Sequence, residues 1–590
     1  MSMISNKKDW LEKRYYLLLE EFKDREFDRE EVIKVLTEKS HDYKDSVPVI
    51  LTELKNEGYL NVRLDPKDSR KRLYTLKSNN EIIKEKLNLN KEVLTRQDID
   101  RILKKAADLI RTRVDYKFIL ILLFLKRISD KWEEEFEHVL KDIEKEGLSG
   151  DAAINEAKRT EYHKFDLPEE YLWDNLRKEV EKLPEKFSEA LKNIAERNPE
   201  LRDALENTDF IQFTSNNENA ELLRQLVELF SEKKLHHVSP DILGDAYEWI
   251  LRYFAPDKAK EGEVYTPREV IQLIVEILKP LAKESVYDPT CGSSGMLISS
   301  YKYVEEKQGK EGARKLFLFG QEYNPKTLAL GRMNMYIHDI RDFNLQGGDT
   351  LIYPRLKQGD ELQKFNIVIA NPPWNQDGYD ESRLKQGEFW KTRFKYGFVP
   401  GQSADWAWIQ HMLASSKDDT GRIGVVMDNG CLFRSGKEKA IRQRVIEEDL
   451  IEAVLLLPEK LFYNTGAPGA IIILRKNKPK ERKGKILFIN ASNEYEKHPD
   501  VRKLNTLTKE NMKNIVHAYD KFEYKEGFSR VVDKKELKEN DFNLNVSLYI
   551  YPEEEHENID VHKEWSELKT LEKERGELDK KIELFLKEIK

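Results

Sequence analysis

Cysteine is almost missing from this chain: 590 residues carry two, Cys291 and Cys431. Two thiols are too few for a disulfide framework and have no metal-ligand spacing, which points to a reducing, cytoplasmic setting. The 11 histidines form no Cys/His cluster, and the side chains of the sequential pair His236 and His237 diverge on a helix or strand, so no metal is expected. Long apolar runs are missing too. The longest, Phe118 to Leu125, is a fraction of the roughly 20 residues a bilayer span needs, and it reads as a buried helix. The opening MSMISNKKDWLEKRYY has neither the apolar core of a secretory signal nor a lipidation pattern. Nor is there an excess of positive charge. Lys+Arg 101 against Asp+Glu 109 leaves a net charge of −8, so any nucleic-acid surface must be local and no membrane association is expected.

The chain is long enough for roughly three to five domains of about 150 residues. Residues 1–85 read as helices followed by a hairpin, "NVRLDPKDSRKRLYTL", with turn chemistry at Pro66, Asp68 and Ser69. This is the pattern of a winged helix-turn-helix. Its tip carries Lys67, Arg70, Lys71 and Arg72, suited either to DNA phosphates or to a solvated hairpin on a protein-docking module. Residues 90–237 are helical by period and poor in glycine. Over 238–490 short runs rich in Val, Ile and Leu alternate with helical stretches, which predicts a doubly wound, mostly parallel sheet covered on both faces. Residues 491–590 end in a charged helix. Its Leu568, Leu571, Leu578, Ile582, Phe585 and Ile589 form an apolar seam that predicts docking on a partner.

Three acidic strand ends stand out. "VYDPTCGSSGML" places Asp288 at the end of the first strand of the sheet, then Gly292, Ser293, Ser294 and Gly295 in a turn before a helix. At the carboxyl end of a strand such a turn lets backbone approach a ligand and offers free N–H groups, making a nucleotide-type cradle. It lacks the Lys-Ser/Thr of a phosphate loop and the spacing of a dinucleotide fingerprint. "FLFGQEYN" ends the next strand at Glu322, able to accept from ribose hydroxyls, and "LQGGDTL" places Asp349 where an adenine amine can donate to it.

The run "NIVIANPPWNQ" is strand-like up to Ala370 and then meets Pro372 and Pro373. Prolines donate no N–H and stiffen the chain, so the Asn371 side-chain oxygen and the Pro372 carbonyl become fixed acceptors for a flat amine. Two acceptors gripping the hydrogens of a nucleobase amine favour a pyramidal nitrogen with an available lone pair. Trp374 then offers a stacking face, worth about 1 to 3 kcal/mol, to a base swung out of its duplex.

Taken with "LKRISDK", "DILGDAYEWILRYFA", "GEVYTPREV" and "DFNLNVSLYI", these motifs make the chain from about residue 91 to 590 resemble the modification subunit of a type I restriction-modification system. The resemblance implies an adenine-N6 DNA methyltransferase with a Rossmann-like S-adenosylmethionine-dependent core over 238–490, a helical domain over 90–237 and a C-terminal extension over 491–590. It implies Asn371, Pro372, Pro373 and Trp374 at the target adenine. Glu263, Val264, Tyr265, Thr266, Pro267 and Arg268 would line the cofactor pocket, with Asp288, Gly292, Ser293, Ser294, Gly295, Glu322 and Asp349. Implied partners are double-stranded DNA and a specificity subunit bound by two such chains, with a restriction endonuclease/translocase subunit as an optional third component. The stretch "DGYDESRLKQGEFWKTRFKYGF" would be a DNA-facing loop.

The winged helix is an addition that the family core does not require, and Asp428 stands where a proline is expected. Cys291 reads as a small space-filler, Trp406 and Trp408 as helix packing, and Asp405 as a neighbour of the adenine pocket without an assigned role. From the residues alone, methylation of RNA or of a protein amide, or a winged-helix DNA-binding regulator with a relic methyltransferase domain, stays open.

Overall fold

The computed structural model describes residues 5–588 apart from 24, 41, 57–58, 65–70, 78–95, 111–116, 179–181, 206–216, 233–234, 236–237, 239–241, 245, 248, 251–252, 255–265, 463–464, 500 and 552–560. Glu263 to Tyr265, His236, His237, Ile589 and the hairpin tip Pro66 to Arg70 therefore lie outside the described residues. The chain divides into two compact units. The first comprises residues 1–261, 291–298 and 320–348; the second comprises 262–290, 299–319 and 349–590.

The first unit opens with helix α1 (Ser5–Phe22), strand β1 (Phe27–Asp28), helices α2 (Arg29–Ser40) and α3 (Val47–Asn56), and strands β2 (Leu60–Leu64) and β3 (Arg72–Leu76). The three strands form an antiparallel sheet in the order β1-β3-β2. They close on a core of Tyr15, Leu18, Phe27, Leu36, Ile50 and Leu54. Helices α4 (Arg96–Ile110), α5 (Lys117–Lys145), α6 (Leu183–Arg197) and α7 (Asn217–Ser231) follow. The apolar run Phe118 to Leu125 lies in α5, and Ile119 to Leu125 are buried. One turn on, Lys126 and Asp130 form a fully buried ion pair at 2.7 Å, the spacing of side chains four apart on a helix. Asp130 also accepts from the Leu235 N–H at 2.7 Å, and Ser129 Oγ accepts from the Trp173 N–H. The "LKRISD" run is thus a polar bolt through the helical region. Among the described residues no helix is long and apolar enough to cross a membrane.

The second unit carries most of a sheet. After α8 (Arg268–Leu278) come β4 (Ser285–Asp288), α9 (Gly295–Ala313) and β5 (Phe317–Glu322), then α10 (Pro325–Ile337) and β6 (Phe343–Gly347). The chain crosses from one unit to the other inside α9 and again inside β5. Strand β7 (Ile367–Ala370), helix α11 (Asp405–Ala414), strand β8 (Arg422–Asp428), helix α12 (Lys437–Glu447) and strands β9 (Ile451–Leu456), β10 (Gly469–Arg475) and β11 (Lys485–Asn490) lead to helix α13 (Lys509–Lys521), strand β12 (Ser529–Asp533) and helix α14 (Val561–Glu588). Within the second unit the strand order is β12-β11-β9-β10-β8-β7-β4. The pairs β4·β7, β7·β8 and β9·β11 are parallel. Strand β10 runs antiparallel to β8 and to β9, and β12 antiparallel to β11, so the sheet is mixed. Periodicity does not reveal strand direction, because β7, β9 and β10 are buried on both faces and read as plain apolar runs. Helix α11 packs on this sheet through Trp406 and Trp408, both buried in the same core as Val425, Leu456 and Ile472.

Candidate active site

Strand β7 delivers Asn371 to its carboxyl end, and the two prolines stop the ladder there. The Asn371 amide is held from both sides. Its Nδ2 donates to Thr266 Oγ1 at 2.8 Å, and its Oδ1 accepts from the Trp374 indole N–H at 3.0 Å. An indole nitrogen only donates, so the oxygen has to face Trp374 and the amide orientation is fixed by chemistry. One lone pair of that oxygen is taken; the other remains for a second donor. Trp374 is half-buried and meets Phe462 edge to face, with centroids 4.8 Å apart. Gly469 at the start of β10 leaves room for both rings: a Cβ there would lie 2.7 Å from the Phe462 ring and 3.2 Å from Trp374. Phe462 carries no signal in the sequence beyond following an apolar run, and only the fold brings it beside the tetrapeptide.

Asn375, the next residue, is left-handed with φ 52°, a conformation that asparagine tolerates. Asp405 is fully buried and accepts from the Asn375 N–H at 2.9 Å, so it sits behind the corner and does not face an open pocket. Further along, Asp349 Oδ1 accepts from the backbone N–H groups of Leu351 and Ile352, and its Oδ2 accepts from the Tyr379 hydroxyl at 3.1 Å. The acidic strand end predicted to meet an adenine amine thus also ties down the segment after the tetrapeptide. Arg393 in that segment is buried and donates to the carbonyls of Thr350, Leu351 and Glu388, and its burial brings its pKa down to about 10. His411 beside it is kept neutral, its pKa lowered well below the ordinary imidazole value by burial and then by Arg393. Asp288 is buried and caps its own turn by accepting from the Thr290 N–H at 2.9 Å.

The first unit holds the glycine turn. Gly292 and Ser294 both have positive φ, 50° and 66°, which is costly for a serine and typical of a turn shaped for close approach. Glu322 Oε2 accepts from the Gly292 N–H at 3.0 Å, and its Oε1 accepts from the Asn324 N–H at 2.8 Å. Asn334 on α10 donates to the Ser293 carbonyl at 2.9 Å, and Gly331 on the same helix is needed because a Cβ would lie 2.7 Å from the Gly292 oxygen. Cys291 is buried against Gly320, as a filler would be. Of the 263–268 run, Thr266, Pro267 and Arg268 are described. Thr266 points its hydroxyl at Asn371, and Pro267 and Arg268 start α8.

A mixed, helix-covered sheet that ends one central strand in Asn-Pro-Pro-Trp is the frame of an amino-methyltransferase, and the family model described as N-6 DNA Methylase matches residues 238–558. A second model, HsdM N-terminal domain, matches residues 99–230. The chain belongs to the N-6 DNA methylase family and, within it, to the methylase subunits of type I restriction enzymes. It is similar to the type I restriction enzyme MjaVII methylase subunit of Methanocaldococcus jannaschii, 43% identical over 97% of this chain and 96% of that one. Against the HindI methylase subunit of Haemophilus influenzae it is 31% identical over 62% of this chain and 84% of the other. A solved methyltransferase subunit of a type I restriction-modification system from Streptococcus thermophilus has a TM-score of 0.67 at 26% identity, covering 78% of this chain and all of that one.

The family read from the motifs is therefore the right one, but its reach needs correction. Motifs place the resemblance from about residue 91, whereas a 97% match leaves room for most of the preceding residues in the archaeal relative as well. Local motifs could not show this, because residues 1–85 carry no diagnostic tetrapeptide.

Proposed function

We propose that this chain transfers a methyl group from S-adenosylmethionine to the N6 amine of an adenine flipped from double-stranded DNA. The observation that carries the reading is the Asn371 carbonyl oxygen. It is locked by Trp374 and Thr266, with one acceptor site left over at the end of a buried strand. That oxygen and the Pro372 carbonyl would accept the two amine hydrogens and favour the attacking form of the nitrogen. The Trp374 face would stack on the extruded base, with Phe462 bracing its edge.

The glycine turn fits a cofactor of this kind: Gly292 and Ser294 hold a left-handed backbone suited to close approach, and among the described residues Ser294 Oγ is buried without a hydrogen-bond partner. S-adenosylmethionine, when bound, supplies the methyl group on a sulfonium. Gly292 to Gly295 would cradle its amino-acid end, and Glu322 would take the ribose hydroxyls.

In a cell this reaction would mark the host's own sites and protect them from restriction. A separate specificity subunit would choose the site, two copies of this chain flanking one of it, with a restriction subunit joining that complex. Helix α14 supports the docking part of this reading. Its Leu568, Leu571, Leu578, Ile582 and Phe585 are all exposed, a seam that water disfavours and a helical partner would cover. Deleting residues 561–588 should abolish co-elution with the specificity subunit and leave cofactor binding intact. Asn371→Ala should hold cofactor affinity within a few-fold and abolish N6-methyladenine formation, read by calorimetry and mass spectrometry. Parallel loss of both would remove the role given to Asn371.

A further inference from the structure

The tetrapeptide has a second support, behind it, built from charge. Arg434, in the turn between β8 and α12, places its guanidinium among three carboxylates. Its Nη1 donates to Asp405 Oδ2 at 2.7 Å and to Ser403 Oγ at 3.2 Å, and lies 3.4 Å from both oxygens of Glu438. Its Nη2 donates to Asp428 Oδ2 at 2.5 Å and to Asn375 Oδ1. Asp405 and Glu438 are fully buried. The same Asp405 accepts the Asn375 N–H through its other oxygen, and Asp428 accepts from the Gly430 N–H and, at 3.4 Å, from Asn375 Nδ2. Asn375 is therefore gripped at its backbone and at both ends of its side chain. Gln376 continues the grip, its carbonyl accepting from the Ala404 N–H at 2.8 Å and its side chain from the Trp408 indole at 3.2 Å.

We propose that Arg434 is a positioning residue for methyl transfer: acting through Asn375 and Asp405, it fixes the left-handed exit of the tetrapeptide and so the placement of Trp374 and Asn371. Three observations favour this over a bland packing role. The guanidinium spends both terminal nitrogens on groups that touch one backbone residue. That residue holds a φ that few side chains accept. And Asp428, standing where a proline is expected, is one of the two arms that bring Arg434 to Asn375. Arginine is required because its planar fork reaches Asp405 on one side and Asp428 with Asn375 on the other, which a single ammonium cannot do. The inference rests on the reading of Asn371 to Trp374 as the residues that handle the target base.

The test uses the full chain in complex with its specificity subunit, with DNA lacking N6-methyladenine as substrate. Arg434→Lys keeps the positive charge among the carboxylates but loses the fork. Asn375→Gly keeps the left-handed backbone and loses only the side-chain link. Each should lower kcat about tenfold or more while the cofactor dissociation constant stays within about threefold, the pattern of misplacement and not of lost binding. The double variant should be no slower than Arg434→Lys alone, because both remove the same link. A fully active Arg434→Lys beside an inactive Asn371→Ala overturns this inference alone. Additive losses in the double variant do so too, as does a drop in cofactor affinity equal to the drop in kcat. An active Asn371→Ala overturns the tetrapeptide reading and this inference with it.

Discussion

Thr266→Val separates two roles for one hydroxyl. The resemblance places Thr266 among residues lining the cofactor, yet its Oγ1 accepts from Asn371 Nδ2 at 2.8 Å. Valine keeps the shape and removes the acceptor. A net hydrogen bond of this kind is worth about 0.5–1.5 kcal/mol, a factor of roughly 2 to 13 in the population of correctly turned amide. The Trp374 N–H still opposes a flipped amide, since two donors would then face each other. The expected loss therefore sits in the lower part of that range, about threefold to fivefold in the single-turnover transfer rate. Cofactor affinity by calorimetry should not change, and Thr266→Ser should restore the rate because it restores the acceptor. If Thr266→Val weakens cofactor binding by as much as it slows transfer, the hydroxyl is a cofactor contact and the orientation reasoning is wrong.

Gly469→Ala puts a methyl group 2.7 Å from the Phe462 ring and 3.2 Å from Trp374, so transfer should fall about tenfold with cofactor binding retained; an unchanged rate would show that the rings yield freely. Asp130→Asn leaves Lys126 charged and buried without its counter-ion, which should cost about 3 kcal/mol in chemical denaturation, whereas replacing both partners by apolar residues should cost far less. Burial pushes the Glu438 carboxyl up from its ordinary value, against the pull of Ser403 and Arg434. A raised folded pKa means stability that is fully present below the unfolded value and lost as pH rises through the folded one. The stability advantage of wild type over Glu438→Gln should therefore grow as pH falls from 8 to about 5, and a gap that shrinks over that window would contradict the assignment.

What was legible in the sequence is what local chemistry dictates. A short apolar run rich in Val and Ile that meets two prolines reads as a strand end, and two glycines after an acidic strand end read as a turn. Both readings rest on backbone limits that hold in any fold. What was hidden depends on residues distant in sequence. Arg434 lies 59 positions from the Asn375 it grips, and nothing in "CLFRSGK" separates it from an exposed arginine. Phe462 reads as one more apolar residue after β9. Asp405 was visible as a neighbour of the motif, but its direction was not, because a helix N-terminus presents an acid equally well to a pocket or to a partner behind it. Asp428 offered a faint signal through the missing proline; the geometry gives it meaning as an arm of the Arg434 fork.

The double proline sets the problem that these side chains solve. Pro372 and Pro373 stiffen the chain but donate no backbone hydrogen bonds, so the corner cannot be tied down by the ladder that holds β7. Every restraint on it must come from side chains or from residues just outside. Before the prolines, Thr266 and the Trp374 indole pin the Asn371 amide; after them, Asp405, Asp428 and Arg434 pin Asn375. Trp374 is the member that serves twice, since an indole has both a face to offer a base and an in-plane N–H to reach back to Asn371. A phenylalanine would supply the face alone, and a tyrosine carries its hydroxyl at the far end of the ring. In this chain, tryptophan at the fourth position is thus part of the scaffold that orients the Asn371 oxygen, in addition to the stacking face proposed for it.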